Sequence, residues 1–308
     1  MTDRALILAN PWARLAGARE WRPAALATLS TRYATELVEP RDAREAMQLA
    51  RAAAAEGTAV VAAAGGDGTI NAVAQGLAGT RTALGILPLG SANDLAREYR
   101  VPRSVGEAAR RIAEGEPHAV DLVAIGDRVF CGVGGLALVA RAALAVTRFK
   151  QRSPMRRRIA DFLGGHVYRI SATAALLASW AIDDQLRITY RDADGGRSRS
   201  LETLASALFV ANHRTLGGGL VLPVETDPTD GSLEICYVPS RARHSLMLNF
   251  AKLSTGAAIP PGVLETIRAT EATIETGRED AFVADGELLA VGTRFEVRVL
   301  PRALWIVR

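Results

Sequence analysis

The sequence predicts two domains: an N-terminal α/β unit built on parallel strands, and a C-terminal unit built almost wholly of β-strands. Three observations predict this. The first part of the chain alternates short apolar runs with helical patterns, as a parallel sheet with crossover helices requires. Beyond residue 125 apolar residues alternate singly between recurring turn residues, which is the pattern of short antiparallel strands. At 308 residues, 49% hydrophobic and 23% charged, the chain is long enough for two cores and gives no reason to expect disorder. The boundaries expected are 1–125 and 126–298, with residues 299–308 considered further below.

Taken in order, Ala5 to Ala9 is the first strand and ends at Asn10-Pro11. Asp42 with Glu45 makes a capping-box start to a helix rich in Ala and Arg that stops at Gly57. Ala59 to Ala64 is a second apolar strand, and Ala83 to Leu87 a third; each runs into a glycine turn that opens a helix. Ser104 with Glu107 starts a further helix that stops at Gly115. Ala119 to Ala124 and Arg128 to Val133 are joined by Gly126-Asp127, which is hairpin chemistry and not a crossover. Strands follow at Leu186 to Tyr190, Leu204 to Ala211, Leu233 to Val238, Leu264 to Ile274, Ala281 to Ala284 and Phe295 to Leu300. Turns fall at Asp194-Gly195-Gly196, Asp230-Gly231 and Asp285-Gly286, and helical stretches at Ile159 to Ala181 and Ala242 to Leu253. A sandwich is the arrangement expected of the second unit.

The turn after the second strand carries the chemistry. Gly65-Gly66-Asp67-Gly68-Thr69-Ile70-Asn71 lies between a strand and a helix, where exposed backbone N–H groups and the helix dipole favour phosphate. It is neither Gly-x-Gly-x-x-Gly nor Gly-Lys-Ser/Thr, so the dinucleotide and Walker readings lose ground. A tight turn alone explains one or two glycines, but not three bracketing an aspartate. A carboxylate among phosphates would repel them unless it serves a Mg²⁺ ion, a hydroxyl or a proton transfer. The next strand ends in Pro88-Leu89-Gly90-Ser91-Ala92-Asn93-Asp94, and in a parallel sheet both turns lie at the carboxyl edge where such sheets bind ligands. Alone, Ser91 or Asn93 reads as a helix N-cap more often than as a ligand group.

Cys131 and Cys236 are too few for a disulfide framework and sit in apolar runs, so they are expected as buried thiols. The histidines, His118, His166, His213 and His244, lack ligand spacing, which argues against zinc. The apolar run before Asn10 is too short for a signal peptide, and Ser171 to Ile182 falls short of the roughly 18–20 apolar residues a bilayer span needs. A cytoplasmic location is therefore expected. The net charge is +4, with Arg148, Lys150, Arg152, Arg156, Arg157 and Arg158 in one stretch. With aromatics at 5% there is no stacking platform for nucleic acid, and an anionic membrane surface suits the cluster better than a nucleic acid does. A solvated basic face is the alternative.

These motifs resemble the diacylglycerol kinase family in its soluble bacterial branch, related to the sphingosine and ceramide kinases. The likeness rests on Asn10-Pro11, on the two glycine turns, on Phe209-Val210-Ala211-Asn212 followed by Gly217-Gly218-Gly219, and on Pro223. It continues through Asp230-Gly231-Ser232-Leu233-Glu234 to Asp285-Gly286-Glu287, so it spans most of the chain. The resemblance implies a Rossmann-like N-terminal domain of the NAD kinase/diacylglycerol kinase type, a C-terminal β-sandwich, and a return of the last strands near 299–308 to the first domain. It implies an ATP-dependent lipid kinase, diacylglycerol giving phosphatidic acid being the simplest case, with ATP and Mg²⁺ as cofactors. Nucleotide contacts fall on Asn10, Gly65, Gly66, Asp67, Gly68, Thr69, Ile70, Asn71, Gly90, Ser91 and Asn93. The catalytic residues implied are Glu287 as base, Asp67 aiding Mg²⁺ and the γ-phosphate, and Asp285; in the sphingosine kinase branch the glycine-loop Asp takes the base role. Asp227, Asp230 and Ser232 are implied as a separate metal site. The acceptor is a lipid met at a membrane surface by peripheral association, without nucleic acid, and a homodimer is open.

The chain departs from the family pattern at several places. Trp12-Ala13-Arg14 follows Asn10-Pro11 where small and basic residues are usual, and Ala72 replaces a Glu after the loop Asn. Gly132, Ala137 and Val139 stand where the family tends to carry Asn, Gly and Asp. Two alternatives stay open: a small-molecule kinase of the NAD kinase type, which shares the first glycine loop, and a silent nucleotide- or lipid-binding regulator, for which Ala72, Gly132 and Val139 are the evidence. Asp285-Gly286 by itself reads as an ordinary type I′ turn.

Overall fold

The computed structural model describes residues 3–11, 21–90, 92–151, 153, 170–171, 173–174, 183–194, 196–216, 220–255 and 257–308. Two units emerge from the fold, residues 1–122 with 301–308, and residues 123–300. The expected helix around 160–182 falls almost entirely outside the described residues, as do Trp12 to Arg14, Ser91, Arg152, Arg156 to Arg158 and Gly217 to Gly219. Among the described residues no helix is long and apolar enough to cross a membrane.

The first unit is a parallel sheet. Strands β1 (Arg4–Ala9), β2 (Ala34–Val38), β3 (Val60–Gly65) and β4 (Ala83–Pro88) lie in the order β2-β1-β3-β4, and Trp305 and Ile306 from the end of the chain pair in parallel beyond β4. Helices α1 (Trp21–Leu29), α2 (Ala43–Ala55), α3 (Asp67–Leu77), α4 (Asp94–Glu98) and α5 (Val105–Glu114) connect them, with α2 packed on α3 and α1 on α5. Ile7, Ala62, Ala64 and Leu87 share a core with Leu29 and Ile112, while the alternate residues Leu8, Val61, Ala63 and Ile86 are buried as well. Both faces of the sheet are thus covered, and this is why its strands read as continuous apolar runs. The Asp42 carboxylate accepts from the Glu45 N–H at 2.8 Å, as the capping pattern predicts. Ser104 occupies the N-cap of α5 but makes no capping hydrogen bond, so there the pattern located the helix start without supplying its chemistry.

Residues 301–308 are held in this unit by specific contacts. The Gly79 N–H donates to the Ala303 carbonyl at 2.7 Å, and the Arg81 guanidinium sits 4.8 Å from the Trp305 ring centre. Asp121, fully buried in β5 (Pro117–Ile125), accepts the Arg302 N–H at 2.7 Å, fixing a residue with φ of +53°. A hydrogen bond to a charged group contributes about 1.5–3 kcal/mol, enough to hold one strained residue.

The second unit is antiparallel. β6 (Arg128–Phe130) makes the expected hairpin with β5. It is followed by β7 (Val133–Ala137), α6 (Leu138–Gln151), β8 (Asp184–Asp192), β9 (Ser198–Ala211), the short pair β10 (Thr215–Leu216) and β11 (Leu220–Val221), β12 (Leu233–Pro239), α7 (Arg243–Thr255), β13 (Glu265–Ala284) and β14 (Glu287–Val307). β8 and β12 each pair with both β9 and β13, so the pairings close around an apolar interior, and β7 joins β9 to the end of β13. Phe282 lies at its centre, with Phe130 and Phe295 at ring-centre distances of 5.9 and 6.0 Å.

Two sequence expectations change here. Leu264 to Ile274 and Ala281 to Ala284 are one strand, β13, whose pairing with β14 shifts register between Glu275 and Asp280. The polar run across that irregularity interrupts the alternation without interrupting the strand. The strand expected from Arg128 to Val133 ends at Phe130 and a separate strand, β7, begins at Val133; Ala137, at φ +58°, then turns the chain from β7 into α6, held by the Asp280 carboxylate on its N–H at 2.7 Å.

Candidate active site

In the first unit the two glycine turns lie against each other. A Cβ built on Gly90 would stand 2.4 Å from the Cα of Gly66, so that neither loop has room for a side chain at the contact. Gly65 is equally constrained, its Cβ position lying 2.3 Å from the Thr69 hydroxyl oxygen, whereas a Cβ on Gly68 would meet nothing within 4 Å. Asn10 donates to that Thr69 hydroxyl at 3.1 Å, tying the end of β1 to the start of α3. Asn93, at φ +52°, begins α4 without capping it. Its side chain accepts from the Gly90 N–H at 2.9 Å and donates to the Gly90 carbonyl at 2.8 Å, clamping the second turn instead.

Asp67 and Asn71 supply the polar groups of this site. The Asp67 carboxylate accepts the Leu95 N–H at 3.2 Å, joining the starts of α3 and α4. Burial raises its pKa above the usual carboxylate value, against backbone donors from residues 93 to 95 that lower it. Asn71 is fully buried, and neither its amide nitrogen nor its amide oxygen has a hydrogen-bond partner among the described residues. An orphaned buried amide is costly, about 1–3 kcal/mol, and such groups are conspicuous where a ligand completes them. Ile70 is a core side chain with no exposed surface, and its N–H donates to the Gly66 carbonyl at 3.1 Å, so it shapes the loop and offers no free donor to a phosphate. Two close-set glycine turns at the carboxyl edge of a parallel sheet, beside an unsatisfied amide, fit a nucleotide's phosphates.

In the second unit Asp285 and Gly286 form the β13–β14 turn with φ of +48° and +82°, the signs a type I′ turn requires. The turn is more than local. The Asp285 carboxylate accepts the N–H groups of Cys131 at 2.9 Å and Gly132 at 3.1 Å. Asn212, at the end of β9, donates to the Cys131 carbonyl at 2.9 Å, and its N–H donates to the Gly132 carbonyl at 3.0 Å. Three separate sequence segments thus meet at residues 131–132. Gly132 is required there, because a Cβ would fall 2.5 Å from the Asp285 Oδ1.

Glu287, the first residue of β14, is reached by Arg128 of β6 at 3.3 Å. Burial raises its pKa above the ordinary carboxylate value and Arg128 lowers it, so a carboxylate with enhanced basicity stands beside one cation. Cys131 and Cys236 are buried thiols; burial pushes Cys131 well up and Cys236 up to about 12, which leaves both protonated. The role of Cys131, Gly132 and Asn212 in holding Asp285 had no local signal in the sequence beyond the Phe209 to Asn212 motif.

Asp227, Asp230 and Ser232 are arranged around internal partners. Asp227 accepts from the Thr229 N–H at 3.0 Å and hydroxyl at 2.6 Å, and Asp230 accepts from the Ser232 N–H at 2.8 Å and hydroxyl at 2.6 Å. Arg268, opposite Glu234 in the β12–β13 register, donates to the other Asp230 oxygen at 2.6 Å and to the Ser232 hydroxyl at 2.9 Å. A guanidinium therefore already engages Asp230 and Ser232, two of the three residues that would hold a divalent ion at this turn. Among the described residues no three His, Cys, Asp or Glu side chains converge on a common point. The melting temperature in the absence of nucleotide is accordingly expected to be the same in EDTA and in millimolar Mg²⁺; an increase with Mg²⁺ that Asp230→Asn abolishes would show that the turn binds metal.

Comparison with known proteins covers both halves of the chain. Residues 4–125 match the diacylglycerol kinase catalytic domain, and residues 145–308 match the YegS C-terminal NAD kinase beta sandwich-like domain. A diacylglycerol kinase of Mycobacterium tuberculosis is 30% identical over 272 residues, covering 87% of this chain and 82% of its own. A YegS-like probable lipid kinase of Cronobacter sakazakii is 30% identical over 271 residues, covering 82% of this chain and 79% of its own. Among solved structures, a diacylglycerol kinase of Bacillus anthracis shares the fold with a TM-score of 0.74 at 20% identity, covering 99% of this chain and 96% of its own. Glycine turns at the sheet edge and a carboxylate-bearing turn in the β unit are accounted for together by one family, and this chain belongs to the diacylglycerol kinase catalytic-domain family of lipid kinases.

Proposed function

We propose that this protein transfers the γ-phosphoryl group of ATP to a hydroxyl of a membrane lipid, converting diacylglycerol to phosphatidic acid. The observation that carries the nucleotide half is the contact of the Gly66 and Gly90 turns beside the unsatisfied Asn71 amide. Backbone N–H groups of that pair hold the phosphates, and Asn10 and Asn93 keep the loops in shape. Mg²⁺, when bound with the nucleotide, spreads the charge of the β- and γ-phosphates, and Asp67 is the loop residue that would hold it.

The acceptor half rests on Glu287. As the lipid hydroxyl oxygen forms its bond to the γ-phosphorus, its proton passes to the Glu287 carboxylate and ADP leaves. Asp285 acts by fixing the turn that bears Glu287, through its bonds to Cys131 and Gly132. Diacylglycerol is favoured as acceptor by the similarity to the Mycobacterium tuberculosis enzyme over most of both chains. A lipid acceptor is met at a membrane surface, for which the basic stretch beginning at Arg148 is the proposed contact.

The test is purified protein with γ-labelled ATP and, separately, vesicles containing diacylglycerol, vesicles containing phosphatidylglycerol, a sphingoid base, NAD, or no acceptor. Label in phosphatidic acid is the expected result. Label in NADP would move the protein to the small-molecule class, and no transfer to any acceptor, with ATP bound, would make it a nucleotide-binding regulator.

A further inference from the structure

The hairpin formed by β5 and β6 carries one side chain into the neighbourhood of the proposed base. Arg128 begins β6 directly after the Gly126-Asp127 turn, and its guanidinium donates to Glu287 Oε2 at 3.3 Å across 159 residues of sequence. The contact is partly buried, the two side chains being 38% and 32% exposed, so it is weakened by solvent less than a surface pair. The register of the hairpin fixes the arginine: Ile125 pairs with Arg128 and Val123 with Phe130, and Phe130 is locked in the core against Phe282.

We infer that Arg128 is a positioning residue for this reaction, holding the Glu287 carboxylate in its reactive orientation and favouring its ionised form in a partly buried setting. The inference rests on the reading of Glu287 as the base. Its physical content is a balance of two effects on one group. Removal from water favours the neutral acid, which cannot take a proton, and an adjacent guanidinium favours the anion. Asp285, two residues earlier in the same turn, has its carboxylate directed to the N–H groups of Cys131 and Gly132. Among the described residues the charge that acts on Glu287 is that of Arg128. Arginine suits the task because it stays charged at any working pH and its planar fork limits the orientations open to the carboxylate.

The sign of the effect follows. Without Arg128 the carboxyl of Glu287 protonates at higher pH, so the acidic limb of the rate profile moves towards alkaline pH. With a short-chain diacylglycerol dispersed in detergent, Arg128→Gln is expected to shift that limb upward by roughly half to one pH unit, with the KM for ATP unchanged. Arg128→Lys, which keeps the cation, is expected to return the limb most of the way to its wild-type position. In a Glu287→Gln background the Arg128→Gln change is expected to move nothing further in the profile. Melting temperatures identify any variant that fails to fold, and the lysine variant then carries the comparison.

An unmoved limb in folded Arg128→Gln, with Glu287→Gln inactive, would overturn the inference and leave the base assignment standing. Wild-type turnover in Glu287→Gln would overturn the base assignment itself. A fall in kcat at every pH without displacement of the limb, unrelieved by lysine, would make Arg128 a purely structural contact.

Discussion

Replacing Glu287 with glutamine is expected to lower kcat by roughly 10²- to 10⁴-fold while leaving ATP affinity unchanged. The amide has the same size and retains an oxygen that can accept from Arg128, so the ion-pair geometry at 3.3 Å loses charge without losing its shape. What disappears is the capacity to take a proton. Because the glycine turns proposed to hold ATP belong to the first unit and Glu287 begins a strand of the second, nucleotide binding and turnover should separate cleanly in this variant. The measurement is kcat on diacylglycerol in detergent together with nucleotide affinity by calorimetry. If ATP affinity falls in step with kcat, Glu287 has a structural role and Asp67 becomes the preferred base. Undiminished turnover in folded protein would remove Glu287 from the mechanism.

The second large effect is expected at Gly90. An alanine there would place its Cβ 2.4 Å from the Gly66 Cα and 2.7 Å from the Asn93 side-chain oxygen. The first of these neighbours is backbone and cannot swing away. The two turns must separate, and Asn93 must give up its paired hydrogen bonds to the Gly90 N–H and carbonyl. Overpacking of this kind costs about 1–3 kcal/mol in stability. The N–H groups also lose their common target, so ATP affinity is expected to fall by more than about tenfold, equivalent to about 1.4 kcal/mol. Gly106→Ala supplies the contrast. Its Cβ would meet only the Ser104 hydroxyl, at 3.8 Å, in an ordinary helical position. That change should stabilise α5 by about 0.5–1 kcal/mol and leave ATP affinity alone. Equal ATP affinity in the wild type and folded Gly90→Ala would show that the turns do not hold the nucleotide.

The sequence by itself determined the alternation of strand and helix in the first unit, because a parallel sheet covered on both faces writes unbroken apolar runs such as Val60 to Ala64. It also determined where the glycine turns fall, and that Asp285-Gly286 closes a hairpin, since the positive φ at those two hairpin residues is a local demand. The capping of α2 by Asp42 was legible for the same reason. Only the tertiary structure decided that β13 runs unbroken past a shift in its register, and that Ala137 bends the chain from β7 into α6 with the help of Asp280. It alone decided what each carboxylate is bonded to: Asp285 to the Cys131 and Gly132 N–H groups, Asp230 to Arg268, Asp121 to the Arg302 N–H and Glu287 to Arg128. These partners stand from 38 to 181 residues apart in the chain. Local pattern reports backbone conformation and burial, which each short segment settles within itself. The partner of a charge is settled by strand register and packing across the whole unit, and no short segment carries that information.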